Sequence, residues 1–169
     1  MKDMDSLLAQ VLAFRPNRLV PPFDLQGHIP FVAWLVKELQ PATFVQLGTQ
    51  SGNLYFAACQ TVAEHSLPTR CWAVGTWQAE ELAQRHSVQQ EPGASDYNRQ
   101  HFGAFSGLLR MGDAQALPRF APGSIDLLLI DGRYSPETVR NEYESWRDRL
   151  SDHAVVLLVG IEQADSGAA

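Results

Sequence analysis

The sequence predicts an α/β fold, a doubly wound parallel sheet, and three observations predict it. The run Thr43-Phe44-Val45-Gln46-Leu47-Gly48-Thr49-Gln50-Ser51-Gly52 is an apolar stretch that breaks into a glycine-flanked turn and leads into a helix. That order is how α/β proteins present backbone N–H groups to a nucleotide-like ligand. Further apolar runs then alternate with helical patterns, which implies parallel strands joined by right-handed crossovers with helices on both faces. Ile125–Ile130 is a near-continuous apolar run, as expected of a parallel strand covered on both sides.

Taken in order, Ser6 to Phe14 reads as an amphipathic helix with Leu7, Leu8, Val11 and Leu12 on one side. Pro16, Pro21 and Pro22 then impose a loop. Gly27-His28-Ile29-Pro30 opens a second helix to about Leu39, stopped by Pro41, with Phe31, Val32, Leu35, Val36 and Leu39 as its core-facing stripe. Strand one is Thr43–Leu47 and its helix Asn53–His65. Strand two is Arg70–Val74, followed by a helix Trp77–Arg85 and a loop Ser87–Ser95. A helix Tyr97–Phe105 leads to strand three, Gly107–Met111, and strand four is Ile125–Ile130. Ser135 as N-cap, Pro136 in the first turn and Glu137 beside it start the next helix, with Val139, Tyr143, Trp146 and Leu150 on one face. Strand five is Ala154–Val159. The expected organisation is an N-terminal helical segment 1–27, a sheet domain 28–162 and a tail 163–169.

Composition bounds the function. A length of 169 residues suits one domain with a full core, and 45% hydrophobic with 19% charged residues describes an ordinary globular chain. A net charge of -6 argues against a grip on nucleic acid, which needs a basic face. No apolar stretch approaches the roughly 20 residues that span a bilayer, and the acidic N-terminus is unlike a signal peptide. Cys59 and Cys71 read as buried free thiols, which fits a reducing, cytoplasmic setting. His65, His86, His101 and His153 have no ligand-like spacing.

Parallel sheets bind ligands beyond the carboxyl ends of their strands. Gly48–Gly52, Gly75–Trp77, Gly112–Asp113, Asp131–Tyr134 and Gly160–Glu162 all lie at such ends. Together with the motifs AVGTWQ (from Ala73), FSGLL (from Phe105) and SIDLLLIDG (from Ser124), these loops resemble a class I S-adenosylmethionine-dependent methyltransferase. More narrowly, the chain is similar to a bacterial branch found beside or fused to glycosyltransferases, over about residues 28–160. The resemblance implies a Rossmann-like sheet of strand order 3-2-1-4-5. It also implies a donor site in which Gln46, Gly48, Thr49, Ser51 and Gly52 approach the methionine moiety. Gly75, Thr76 and Trp77 would face the ribose, and Asp113 and Ala114 the adenine. Asp131 is then the candidate base, with Arg133, Tyr134 and His28 toward an acceptor. For Trp77, stacking on adenine and core packing both stand; for His28, a site role and a helix cap; for Asp131, a base and a loop-ordering role.

The chain also departs from that family pattern. The strand-one glutamate is Gln46, the strand-two aspartate is Gly75, and the closing His-Asp pair is Val159-Gly160. Losing a carboxylate that pairs ribose hydroxyls costs on the order of 1–3 kcal/mol. Only Asp131 remains of a divalent-metal set, and one carboxylate makes a poor metal site. Glu80, Glu81 and Glu162 could replace lost carboxylates but read as solvated charges. The chain stops soon after strand five, without the usual C-terminal hairpin. Self-association, or a missing C-terminal partner domain, would cover that edge. Two functions follow: methylation of a small polar or sugar acceptor, or a degenerate module with a structural or partner-binding role. A nicotinamide oxidoreductase is disfavoured because the first turn lacks GxGxxG.

Overall fold

The computed structural model describes residues 4–23, 25–77, 93–131 and 136–160. Strands β1 Thr43–Leu47, β2 Arg70–Val74, β3 Ser106–Leu109, β4 Ile125–Asp131 and β5 Leu150–Val159 form one parallel sheet in the order β3-β2-β1-β4-β5. The helices are α1 Met4–Ala13, α2 Ile29–Leu39, α3 Asn53–Glu64, α4 Ala94–His101, α5 Asp113–Ala116 and α6 Pro136–Trp146. The α/β class and the strand order are those expected from the sequence. Among the described residues no helix is long and apolar enough to cross a membrane.

Alternation along the strands splits the core in two. One face buries Phe44, Cys71, Ala73, Leu127 and Leu129 against α2 and α3. The other buries Val45, Leu47, Val74, Leu128 and Ile130 against Ala116, Phe120 and Trp146. Cys59 and Cys71 are buried free thiols, as expected. Helix α3 is buried on every side from Asn53 to Val62, because a non-helical segment before α2 covers the flank that α2 and the sheet leave open. Two side chains of α3 hold that segment. Gln60 accepts from the Asn17 N–H at 2.8 Å and donates to the Arg15 carbonyl at 3.0 Å. Asn53 accepts from the Val20 N–H at 3.0 Å and donates to its carbonyl at 2.7 Å. Seven residues is two helical turns, so both amides fall on one flank.

Several element expectations need correction. The buried stripe of α2 is Ile29, Val32, Ala33 and Val36, whereas Phe31 and Leu39 are exposed. The spacing 0, 3, 4, 7 sets the phase of a helix face, and those two residues lie off it. Leu8 and Leu12 of α1 are exposed as well. In α6, Val139 and Trp146 are buried, but Tyr143 is exposed and Leu150 already belongs to β5. Helix α4 ends at His101 rather than Phe105, because Phe102 turns into the core. β3 starts at Ser106, one residue earlier than expected, and β5 starts at Leu150, whose partner is Ile125. The short helix α5 has no signal in the sequence. Residues 78–85 of the expected helix after strand two, most of the loop 87–95, Ser135 and the tail lie outside the described residues.

At the amino ends of the strands, the Asp126 carboxylate accepts from the Ala42 and Thr43 N–H groups at 2.9 and 3.1 Å and from the Ser151 hydroxyl at 2.8 Å. His153 lies 3.1 Å away. Burial opposes its charge, but Ser151, Thr43, Ala42 and His153 together hold its pKa below the ordinary value. A depressed carboxylate contributes stability above its unfolded pKa and loses it as pH falls through the folded one. Asp126→Ala leaves these donors without a partner and should destabilise the protein by about 1–3 kcal/mol. A lowered urea midpoint at pH 7, shrinking toward no difference from the wild type below the carboxylate range, is the check.

Candidate functional site

β1 and β4 pair Gln46 with Leu129 and Leu47 with Ile130, which brings the side chains of Gln46 and Asp131 to the same end of the same sheet face. Gln46 is 2% and Asp131 3% exposed. Both line a cavity with Gln50, Ser51, Gly52 and Asn53 of the β1–α3 turn, and Pro22, Leu25 and Gln26 close it from the N-terminal side. Its volume of about 20 Å³ suffices for a water molecule. Gln46 Oε1 has no hydrogen-bond partner among the described residues, and a buried acceptor left so costs about 1–3 kcal/mol.

The turn is tied down at Thr49. Its N–H donates to the Val74 carbonyl at 3.3 Å, and its hydroxyl lies 3.2 Å from that oxygen and 3.3 Å from the Gln46 carbonyl. The turn thereby rests on the end of β2, and a Cβ at Gly75 would stand 3.3 Å from the Thr49 nitrogen. Gly52 has φ +77°, which a residue with a Cβ rarely adopts. A Cβ there would also meet the Phe56 ring at 2.8 Å and the Trp77 ring at 3.3 Å. The small size of Gly52 thus admits two core rings. Trp77 is 2% exposed within the core around α3, where its positive φ of 59° turns it. Its placement is the core-packing one of its two readings. Thr76 is exposed.

Asp113 opens α5 after β3, half-buried, and Ala114 beside it is exposed. Burial, and then the negative charge of Glu142 on α6, push the Asp113 pKa up to about 7. Burial likewise raises Glu142. His28 is exposed at the start of α2, makes no side-chain cap bond and is not among the cavity residues. Arg133, Tyr134, Gly132, Glu80, Glu81 and Glu162 lie outside the described residues. Among the described residues no group of three His, Cys, Asp or Glu side chains is placed to hold a metal ion.

The structure adds site residues that the sequence alone does not single out: Pro22, Leu25, Gln26, Gln50 and Asn53 around the cavity, and Arg18 behind it. Asn53 and Gln60 carry a usable signal, since amides seven apart in an apolar helix imply a buried partner. Arg18, in the polar run Arg15-Pro16-Asn17-Arg18, carries none.

Comparison with known proteins bears on the family and the fold. A family model described as a methyltransferase domain matches residues 45–158. The uncharacterized protein y4gI of Sinorhizobium fredii is 37% identical over 163 residues, which is 96% of this chain and 18% of that protein. The chain therefore spans less than a fifth of that relative. Among solved structures, a methyltransferase from Geobacter sulfurreducens superposes with a TM-score of 0.59 at 15% identity, over 94% of this chain and 72% of that one. The Podospora anserina methyltransferase PaMTH1, solved with S-adenosylhomocysteine, gives 0.60 at 16%, over 92% and 62%. An O-methyltransferase family protein from Burkholderia thailandensis gives 0.58 at 12%, over 83% and 39%. With a family match running from β1 into β5 and a fold those structures share, the chain belongs to the methyltransferase-domain family of class I S-adenosylmethionine-dependent enzymes.

Proposed function

We propose that the chain binds S-adenosylmethionine and methylates a hydroxyl of a small polar acceptor, a sugar being the class in view. The observation that carries this is Gln46 Oε1, a buried acceptor without a partner among the described residues, lining one cavity with the Asp131 carboxylate. The Gln46 amide oxygen suits the ammonium of an amino-acid moiety, and Asp113 suits an exocyclic amine. The residues thus fit both ends of the donor, while Gly75 leaves its ribose hydroxyls without a carboxylate. The bound donor supplies a methyl group activated on sulfonium. This chain's part is to hold, align and dehydrate. Asp131 would take the acceptor hydroxyl's proton on its carboxylate, a general-base role suited to its buried place at the strand end.

The second reading, a non-catalytic module with a structural or partner-binding role, is favoured by Gly75 itself, since a side chain at that position would press on the Thr49 nitrogen, 3.3 Å from its Cβ.

Calorimetry with S-adenosylhomocysteine separates the readings. Under the first, Kd falls near ~10 μM, about −7 kcal/mol; no heat and no thermal shift at ~1 mM supports the second. Gly75→Asp should bind about tenfold tighter than Gly75→Ala, roughly 1.4 kcal/mol. The two share the Cβ contact with Thr49, so equal affinities would remove ribose pairing as the missing element. Asp113 titrates near 7 in the folded chain, against 3.8 for an ordinary aspartate carboxyl. Between those values the folded state holds more protons, so stability falls as pH rises. The melting temperature of the wild type should drop between pH 5 and pH 8. Asp113→Asn should shrink that drop, with Glu142 supplying the remainder.

A further inference from the structure

We propose that Arg18 is a positioning residue of the donor site, setting the Gly48–Gly52 turn through its bond to the Ser51 carbonyl; this rests on reading that turn as the donor site. Arg18 is 7% exposed. Its Nη1 donates to the Ser51 oxygen at 2.7 Å, and its guanidinium lies 5.0 Å from the centre of the Phe56 ring and 5.5 Å from that of Tyr97. Arg18 does not itself line the cavity, whereas Ser51 and Gly52 do.

The bond acts through the planarity of the peptide. The Ser51 carbonyl and the Gly52 N–H belong to one rigid unit and point in opposite directions, so fixing the oxygen fixes the direction of the N–H. Gly52, with φ +77°, has more conformational freedom than any other residue type at that place, and the turn has most to gain from an external hold. Burying a guanidinium is costly unless it is well paired. Here the charge-assisted bond and two aromatic faces offset that cost. An apolar side chain would fill the space but would not grip a carbonyl. Arg18 is itself held, because Asn17 on one side and Val20 on the other are bonded to Gln60 and Asn53 of α3. The N-terminal segment is thus a brace that α3 anchors at two points and that reaches the turn between them.

The test compares Arg18→Met, which keeps an unbranched apolar stem, Arg18→Lys, which keeps the cation, and Gln60→Ala, which loosens the brace away from the turn. Two readouts are taken well below the melting temperature: the Kd for S-adenosylhomocysteine, and hydrogen exchange of the backbone amides 48–53. Arg18→Met should weaken binding about tenfold and speed exchange of those amides about tenfold, with Arg18→Lys recovering part of both. Gln60→Ala, with the Asn53 anchor still in place, should lower the melting temperature while changing affinity and turn exchange clearly less than Arg18→Met does. Wild-type affinity and wild-type turn exchange in Arg18→Met, with only a lower melting temperature, overturn the proposal. If Arg18→Met does not fold, Arg18→Lys against wild type decides on the same two readouts. If the wild type binds no S-adenosylhomocysteine, the donor reading fails, and exchange alone decides on Arg18: faster exchange upholds its hold on the turn and unchanged exchange overturns it.

Discussion

Strand register is the constraint on which the rest depends. Side chains alternate along a strand, so a one-residue slip between β1 and β4 would send either Gln46 or Asp131 to the opposite face. The register Gln46↔Leu129 keeps them together. Part of what secures it lies at the far end of the sheet. There one carboxylate, Asp126 of β4, takes the N–H groups of Ala42 and Thr43 at the entry to β1 and the hydroxyl of Ser151 on β5. The pairing of β4 with β5 is irregular between Ile125 and Leu127, and there the core residues change face, Ile125 packing on one side and Leu127 on the other. A polar clasp and a bulge at one end of the sheet therefore align the cavity at the other.

What is legible in the sequence follows the range of the physics involved. β1 and β2 are legible to the residue, because a buried parallel strand is a short apolar run between turn residues. Gln46, Thr49, Ser51, Gly52 and Asp131 are legible as neighbours because they occupy the ends of such runs. Asp126 is not, since its partners Ala42 and Thr43 are over eighty residues away. Helix α2 shows a different limit. Counting its apolar residues suggests a stripe through Phe31 and Leu39, while the phase of the helix buries Ala33 instead. For Trp77, an indole after a strand fits a ligand face or a core equally well, and only its left-handed backbone decides where the ring goes.

The conformation of the β1–α3 turn and the glycine at position 75 are coupled. Thr49 commits both its N–H and its hydroxyl to the end of β2, so the turn lies low over Gly75, and a side chain at that position would press on the Thr49 nitrogen. The bare position at Gly75 and the turn resting on the end of β2 are one structural arrangement. Gly52 is part of it too, since Phe56 and Trp77 pack where its side chain would be.

The brace has a consequence for how the chain is made. Arg15, Asn17 and Val20 leave the ribosome before the side chains that receive them, Asn53 and Gln60, which follow more than thirty residues later. Docking must wait for α3, so this segment is translated before its partners and placed after them. Over that interval Leu19 and Phe23, exposed even in the finished fold, travel with Arg18 on a length of polypeptide whose receiving helix is not yet made.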